Sequence, residues 1–271
     1  LSPVPCPLRY PPPVLTLGVD LASAPRRTAL CLLEWRAGRA RLVELAVGAD
    51  DERILAAHAR ASCTGIDSPF GWPAAFVGFL CSAARLLPEL GQQWGADVRD
   101  GLRFRATDHA VRQAVGRWPL SVSSDLIAVV AMRCVGLLTR MGVSDRAGGD
   151  GVFEVYPAAA LARWGLGSRG YKGRAAKRRR VALLRELKAG ARWLDLGTAA
   201  QQALLVESAD AFDALVASLN CRAAAIGLVD PPPAELRREA AREGWIALPV
   251  AGSLGRLAGG RATKRRGGKR Q

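Results

Sequence analysis

The sequence predicts an α/β fold built on a mixed sheet, with a three-strand antiparallel meander, further parallel strands, flanking helices and a helical insertion. Three observations predict it. Three apolar strand-like runs, residues 14–20, 28–35 and 41–47, follow one another with only short turns between them. A helical stretch, 50–61, then leads to a fourth apolar run, 63–67, and a strand reached across a helix should lie parallel to one already laid down. Finally, the alanine-rich stretch 208–224 has the length and composition of a buried terminal helix.

Taken in order, the first run ends on Asp20, and Pro25-Arg26 and Gly38-Arg39 supply the two meander turns. The 50–61 helix places Ile54, Leu55 and His58 on one face. The fourth strand ends at Asp67, because Ser68-Pro69 stops it. Residues 72–150 read as a helical and irregular insertion, with candidate helices at 72–87, 107–115 and 124–141. A fifth strand, 152–156, is closed by Pro157 and followed by a helix over 158–164. A basic helix is expected over 174–187, the long helix over 208–224 has Ser208 as its cap, and a helix at 235–243 precedes a strand-like 245–248. The expected organisation is a flexible segment 1–13, one domain over 14–252 with the insertion at about 72–150, and a basic, disordered tail over 253–271.

Composition narrows the function classes. With 49% hydrophobic residues in 271, the chain can bury a full core. Its most apolar stretches, 126–138 and 215–228, are interrupted by Arg133, Asn220 and Arg222 and fall short of the roughly 20 residues of a membrane span. The proline-rich start lacks a signal-peptide pattern, so a soluble, cytoplasmic protein without a membrane partner is expected. The six cysteines stand among apolar neighbours without metal-ligand spacing and read as buried free thiols. Only His58 and His109 are present, so a metal would have to sit on oxygen ligands, which favours Mg2+ or Mn2+. The formal charge of +15 suggests a partner with a phosphate backbone, DNA or RNA, or an acidic surface. Seven Lys or Arg residues lie between 256 and 270, and Arg174, Lys177, Arg178, Arg179 and Arg180 form a second cluster in which Arg178 and Arg179 are candidate substrate contacts. The competing reading is a solubilising tail on an arginine-rich coding sequence.

The acids carry the chemistry. Asp20, in Gly18-Val19-Asp20, is either a structural turn acceptor or a metal ligand at a strand end. Asp67, in Gly65-Ile66-Asp67, repeats the pattern, and two carboxylates at the ends of neighbouring strands repel unless a cation joins them. Asp210 and Asp213 share one helix face, and the apolar flanks of Asp213 turn it inward, where an unpaired acid needs a metal, an arginine or a proton. Asp210 has the alternative of a helix N-terminal contact, worth under roughly 1 kcal/mol.

With Asp20 and Asp67 at strand ends and Asp210-x-x-Asp213-Ala-Leu on a helix, the set resembles the acidic tetrad of RuvC-type Holliday-junction resolvases of the ribonuclease H-like superfamily. The closer resemblance is to a family of predicted nucleases, domain of unknown function 429. It is carried by Gly18-Val19-Asp20, the string Gly65-Ile66-Asp67-Ser68-Pro69-Phe70-Gly71-Trp72-Pro73, Arg105-x-x-Asp108, Glu154-Val155-Tyr156-Pro157 and Asp210-x-x-Asp213-Ala-Leu. The resemblance implies a ribonuclease H-like fold and hydrolysis of phosphodiesters at two metal ions, with Asp20 bridging both and Asp67, Asp210 and Asp213 as the remaining ligands. Asp67 is shorter than the glutamate resolvases carry there. In a second tier, Arg105 and Asp108 are candidates for substrate binding and Glu154 for a further ligand or a base, against an Arg105–Asp108 salt bridge at a helix start.

Two rivals remain. Sugar kinases and actin-like ATPases share the fold class, but a phosphotransferase or ATPase of that kind carries a glycine/threonine-rich phosphate loop where this chain has Leu21-Ala22-Ser23-Ala24-Pro25. A nucleic-acid-binding protein without catalysis would use the basic clusters alone, with the acids ordering the fold.

Overall fold

The computed structural model describes residues 14–85 and 94–259. The flexible segment expected over 1–13 and the stretch 260–271 of the expected tail lie outside the described residues.

The three opening runs form β1 (Val14–Asp20), β2 (Ala29–Arg36) and β3 (Arg39–Val47), an antiparallel meander. Helix α1 (Asp51–Arg60) follows, capped by the Asp50 carboxylate, which accepts the Arg53 N–H at 2.9 Å. It crosses to β4 (Cys63–Asp67), which pairs parallel with β1 so that Gly18 faces Gly65 and Asp20 faces Asp67. Then come α2 (Ala74–Ala83), α3 (Ala96–Arg103), α4 (Ala106–Val115), α5 (Ala128–Arg140), β5 (Val152–Glu154) and α6 (Pro157–Arg163). The chain continues through α7 (Lys177–Gly190), β6 (Leu194–Asp195), α8 (Ala199–Glu207), α9 (Ala209–Ala225) and α10 (Arg237–Glu243). The six-stranded sheet has the order β5-β4-β1-β2-β3-β6, an α/β sheet of mixed direction.

Alternation along the strands feeds two cores. Ala29, Cys31, Leu33 and Trp35 of β2 pack with residues of α6, α7 and α9, whereas Leu30 and Leu32 join Leu17, Val19 and Ile66 in a second core on the other face. α5 belongs to that second core through Val130, Cys134, Leu137 and Leu138, beside Ile54 of α1. The expected insertion therefore supplies one of the layers of the domain. Arg133 of α5 reaches inward to the Ala22 carbonyl at 2.6 Å and the Thr28 hydroxyl at 2.7 Å.

Four expectations change. β6, α3 and α8 are additions, and α8 begins with a capping box in which Thr198 and Gln201 satisfy each other's backbone N–H groups. The segment 245–248 makes a single bridge, Ile246 to Glu154, because the Ala247 carbonyl is taken by the Asn220 side chain at 2.7 Å. The basic tail begins later than 253: Ser253–Arg256 is a 3-10 turn, and Leu254 and Leu257 fill the core beside α9, apolar positions masked by the glycine-rich composition around them. Of the cysteines, Cys31, Cys63, Cys134 and Cys221 are buried free thiols, but Cys81 on α2 is exposed. Among the described residues no helix is long and apolar enough to cross a membrane.

Candidate active site

Asp20 and Asp67 end adjacent parallel strands in the same register, at the carboxyl edge where open α/β sheets take their ligands. Asp213 joins them from α9, and the three residues can each present a carboxylate oxygen within 4.8 Å of the others. Glycine makes this approach possible. A Cβ at Gly18 would lie 2.1 Å from the Ser218 nitrogen and 2.2 Å from the Ala214 oxygen, and one at Gly65 would lie 2.9 Å from the Ala217 oxygen. The two glycines, opposite each other in the ladder, thus form a trough in which α9 lies directly on the sheet. The helix is pinned there by Ser218, whose hydroxyl donates to the Thr16 carbonyl at 2.8 Å. Asp213 precedes Ala214, one of the residues in contact with the trough, and so its side chain meets the strand ends.

The cluster is electrostatically loaded. Burial, then the negative charges of Asp213 and Asp67, push Asp20 well above the ordinary carboxylate range. Burial lifts Asp67 to about 7, with Lys172 opposing the rise and Asp213 and Glu154 adding to it. Asp213 is also raised by burial, although it accepts the Tyr171 hydroxyl at 2.8 Å and lies 2.7 Å from the Lys172 Nζ. For Lys172 the direction is upward too: burial works against its charge, but Asp213 and Asp67 outweigh it. No described residue donates a hydrogen bond to the carboxylate of Asp20 or Asp67. Three mutually repelling, desolvated carboxylates with oxygen donors alone fit a hard divalent cation such as Mg2+ or Mn2+.

Lys172 and Tyr171 are the site residues that sequence reasoning missed. Their signal was the string Gly170-Tyr171-Lys172-Gly173, in which both glycines adopt positive φ, 69° and 89°, and mark a tightly turned loop between helices. Arg180, a member of the basic cluster seen in the sequence, is buried and clamps this loop, donating to the carbonyls of Tyr171 at 2.7 Å and Gly173 at 2.8 Å.

The remaining candidates divide sharply. Asp210 lies outside the three-acid group, partly exposed and 4.0 Å from Arg27. Arg105, Asp108 and Glu154 are brought together, but with one another. All five N–H donors of the Arg105 guanidinium are used, by Asp108, Glu154 and the Glu243 carbonyl, and its side chain is 1% exposed. That leaves no donor for a phosphate, which corrects the substrate-binding expectation for Arg105 and, equally, for Asp108, which is fully buried and also accepts the Arg105 backbone N–H at 2.9 Å. Glu154 further accepts the Phe70 N–H at 3.0 Å, tying the loop after β4 to β5. Arg179 pairs with Glu186 at 2.9 Å on α7, where Arg178 is exposed. His58 contacts the Thr64 hydroxyl at 2.8 Å and His109 packs edge-on to Trp118, both away from the acids.

No curated protein and no solved structure matches the chain. A family model described as "Protein of unknown function (DUF429)" matches residues 18–238, from the trough glycine of β1 to α10.

Proposed function

Since the chain belongs to the DUF429 family, whose description assigns no activity, we propose a function from the site itself: divalent-metal-dependent hydrolysis of phosphodiester bonds in nucleic acid. The observation that carries it is the convergence of Asp20, Asp67 and Asp213, three carboxylates within 4.8 Å at the carboxyl edge of the sheet. These three would hold Mg2+ or Mn2+. When bound, such an ion supplies positive charge that polarises a phosphate and lowers the pKa of attached water.

The chain's own residues have separable tasks. Asp67, at the end of β4 beside Asp20, would help hold the ion. Lys172 brings an ammonium to the same edge and can exchange Asp213 for a non-bridging phosphate oxygen. Tyr171 holds the Asp213 carboxylate in place through its hydroxyl. In a two-ion arrangement, Asp210 would be the additional ligand on α9, at the rim of the cluster.

The test is cleavage of labelled single-stranded, duplex and branched DNA and of RNA in magnesium or manganese. Cleavage should be lost in Asp20→Asn and Asp213→Asn while the circular dichroism stays native. No cleavage of any substrate, combined with no divalent binding by calorimetry, would overturn the proposal. One observation favours a second reading, binding without catalysis: Lys172 already supplies Asp213 with a counter-charge. That reading requires binding that survives Asp20→Asn and needs no divalent ion.

A further inference from the structure

A cavity of about 460 Å3 opens beside the acids, bounded at one end by Asp67, Tyr171 and Lys172. Its volume falls within the roughly 300–1,000 Å3 of sites that enclose small ligands. The walls are mostly apolar, from Pro69, Pro119, Ile127, Val155, Ala158 and Ile246, with Tyr156 among them. Four cations line it, Arg105, Arg117, Arg169 and Lys172, of which Arg105 has its donors taken by Asp108, Glu154 and the Glu243 carbonyl. Among the described residues neither Arg117 nor Arg169 has an ion-pair partner; Arg117 donates to the Ser168 hydroxyl at 2.9 Å. Of the acids in the lining, Glu154 is paired with Arg105 at 2.8 Å and Asp67 belongs to the candidate metal site.

An apolar chamber with cations and a candidate metal site at its edge matches one chemical unit: a flat, apolar-faced base carrying a phosphate. We propose that this cavity receives a single unpaired nucleotide of the substrate strand, base inside and phosphate among Lys172, Arg117 and Arg169 beside the acids. The placement of the phosphate rests on the hydrolytic reading above; the base pocket does not. A base stacked in a duplex can enter such a cavity only by leaving the stack. The substrate is therefore single-stranded or frayed nucleic acid, and continuous duplex is a poor one.

Two measurements on the full chain test this. Calorimetry with a nucleoside 5′-monophosphate, ribose 5-phosphate and inorganic phosphate as probes should give binding at least tenfold tighter for the nucleotide. Ala158→Phe, which fills the chamber, and Arg169→Glu and Leu120→Asp, at exposed lining positions tolerant of change, should each weaken it at least tenfold. Cleavage of an unpaired strand should exceed that of a continuous duplex of the same sequence at least tenfold, and the same variants should reduce it. Nucleotide binding no tighter than phosphate binding, or insensitive to the exposed-position variants, overturns the pocket. So does duplex cleavage as fast as single-strand cleavage, a result that leaves the hydrolytic reading standing. Variant-sensitive nucleotide binding without cleavage of any strand supports the pocket and removes the hydrolytic reading; cleavage of strands with no binding of free nucleotide elsewhere than the acids would show as equal affinity for nucleotide and phosphate, and counts against it.

Discussion

Asp213 is the residue on which the site turns, since it is 1% exposed, with Lys172 as its counter-charge and the Tyr171 hydroxyl as a hydrogen-bond donor. Its neutral replacement and that of Asp20 should cut cleavage by about 100-fold or more, equivalent to at least about 2.7 kcal/mol of transition-state stabilisation. Lys172 separates two effects that the aspartates confound. Lys172→Met removes a cation that competes for the carboxylates, so calorimetry should show magnesium affinity held or increased while single-turnover cleavage falls about tenfold or more. Loss of magnesium affinity in this variant would contradict the assignment. The acids themselves were readable from local context, with Asp20 and Asp67 each closing an apolar strand and Asp213 set between Phe212 and Ala214. Lys172 was not readable, because a lysine in a glycine loop gives no sign that its ammonium reaches a carboxylate on a helix laid down 41 residues later.

At the scale of elements, the contact of α9 with β1 and β4 decides whether the acids meet. Gly18→Ala would place a methyl group on the backbone of α9 rather than on a movable side chain, so a destabilisation of about 3 kcal/mol or more is expected, read by denaturant unfolding. Gly38, with nothing within 4 Å of an added Cβ, gives a contrasting control for crowding, although its φ of 74° still disfavours a side chain. The Arg105 network joins α4, β5 and the loop after β4, and Arg105→Ala would strand two buried carboxylates. A loss of about 3–5 kcal/mol is expected, with residual metal binding in whatever fraction remains folded. The helix α9 was foreseen with its Ser208 cap, and the structure agrees, the Ser208 hydroxyl accepting the Ala211 N–H at 3.1 Å. The role of Arg180 was not legible within its basic run, because only the packed helix shows which arginine of the run turns inward, here to four backbone carbonyls.

At the scale of the whole molecule, the acid cluster links folding to pH. Asp67 holds its proton to about pH 7 in the fold, against an ordinary value of 3.8, and Asp20 and Asp213 shift in the same direction. Between about pH 4 and 7 the folded state therefore binds more protons than the unfolded chain, and this contribution to stability is lost as pH rises through that window. In chelator, the melting temperature should fall between pH 5.5 and 8, and magnesium should restore it at pH 8, where the carboxylates are free to bind. A melting temperature indifferent to both would leave the cluster without electrostatic strain. By itself, the sequence determined the alternating strands, the meander and its crossover, the capped helix, and which acids stand at strand ends or face inward, because all of these follow from periodicity and near-neighbour hydrogen bonds. Tertiary structure alone decided that Gly18 and Gly65 line up into a trough, that Asp20, Asp67 and Asp213 converge while Asp210 stays at the rim, and that Arg105 is spent internally. The physical reason is distance along the chain: these contacts join segments tens to about two hundred residues apart, and only the close packing of the assembled layers sets how near they come.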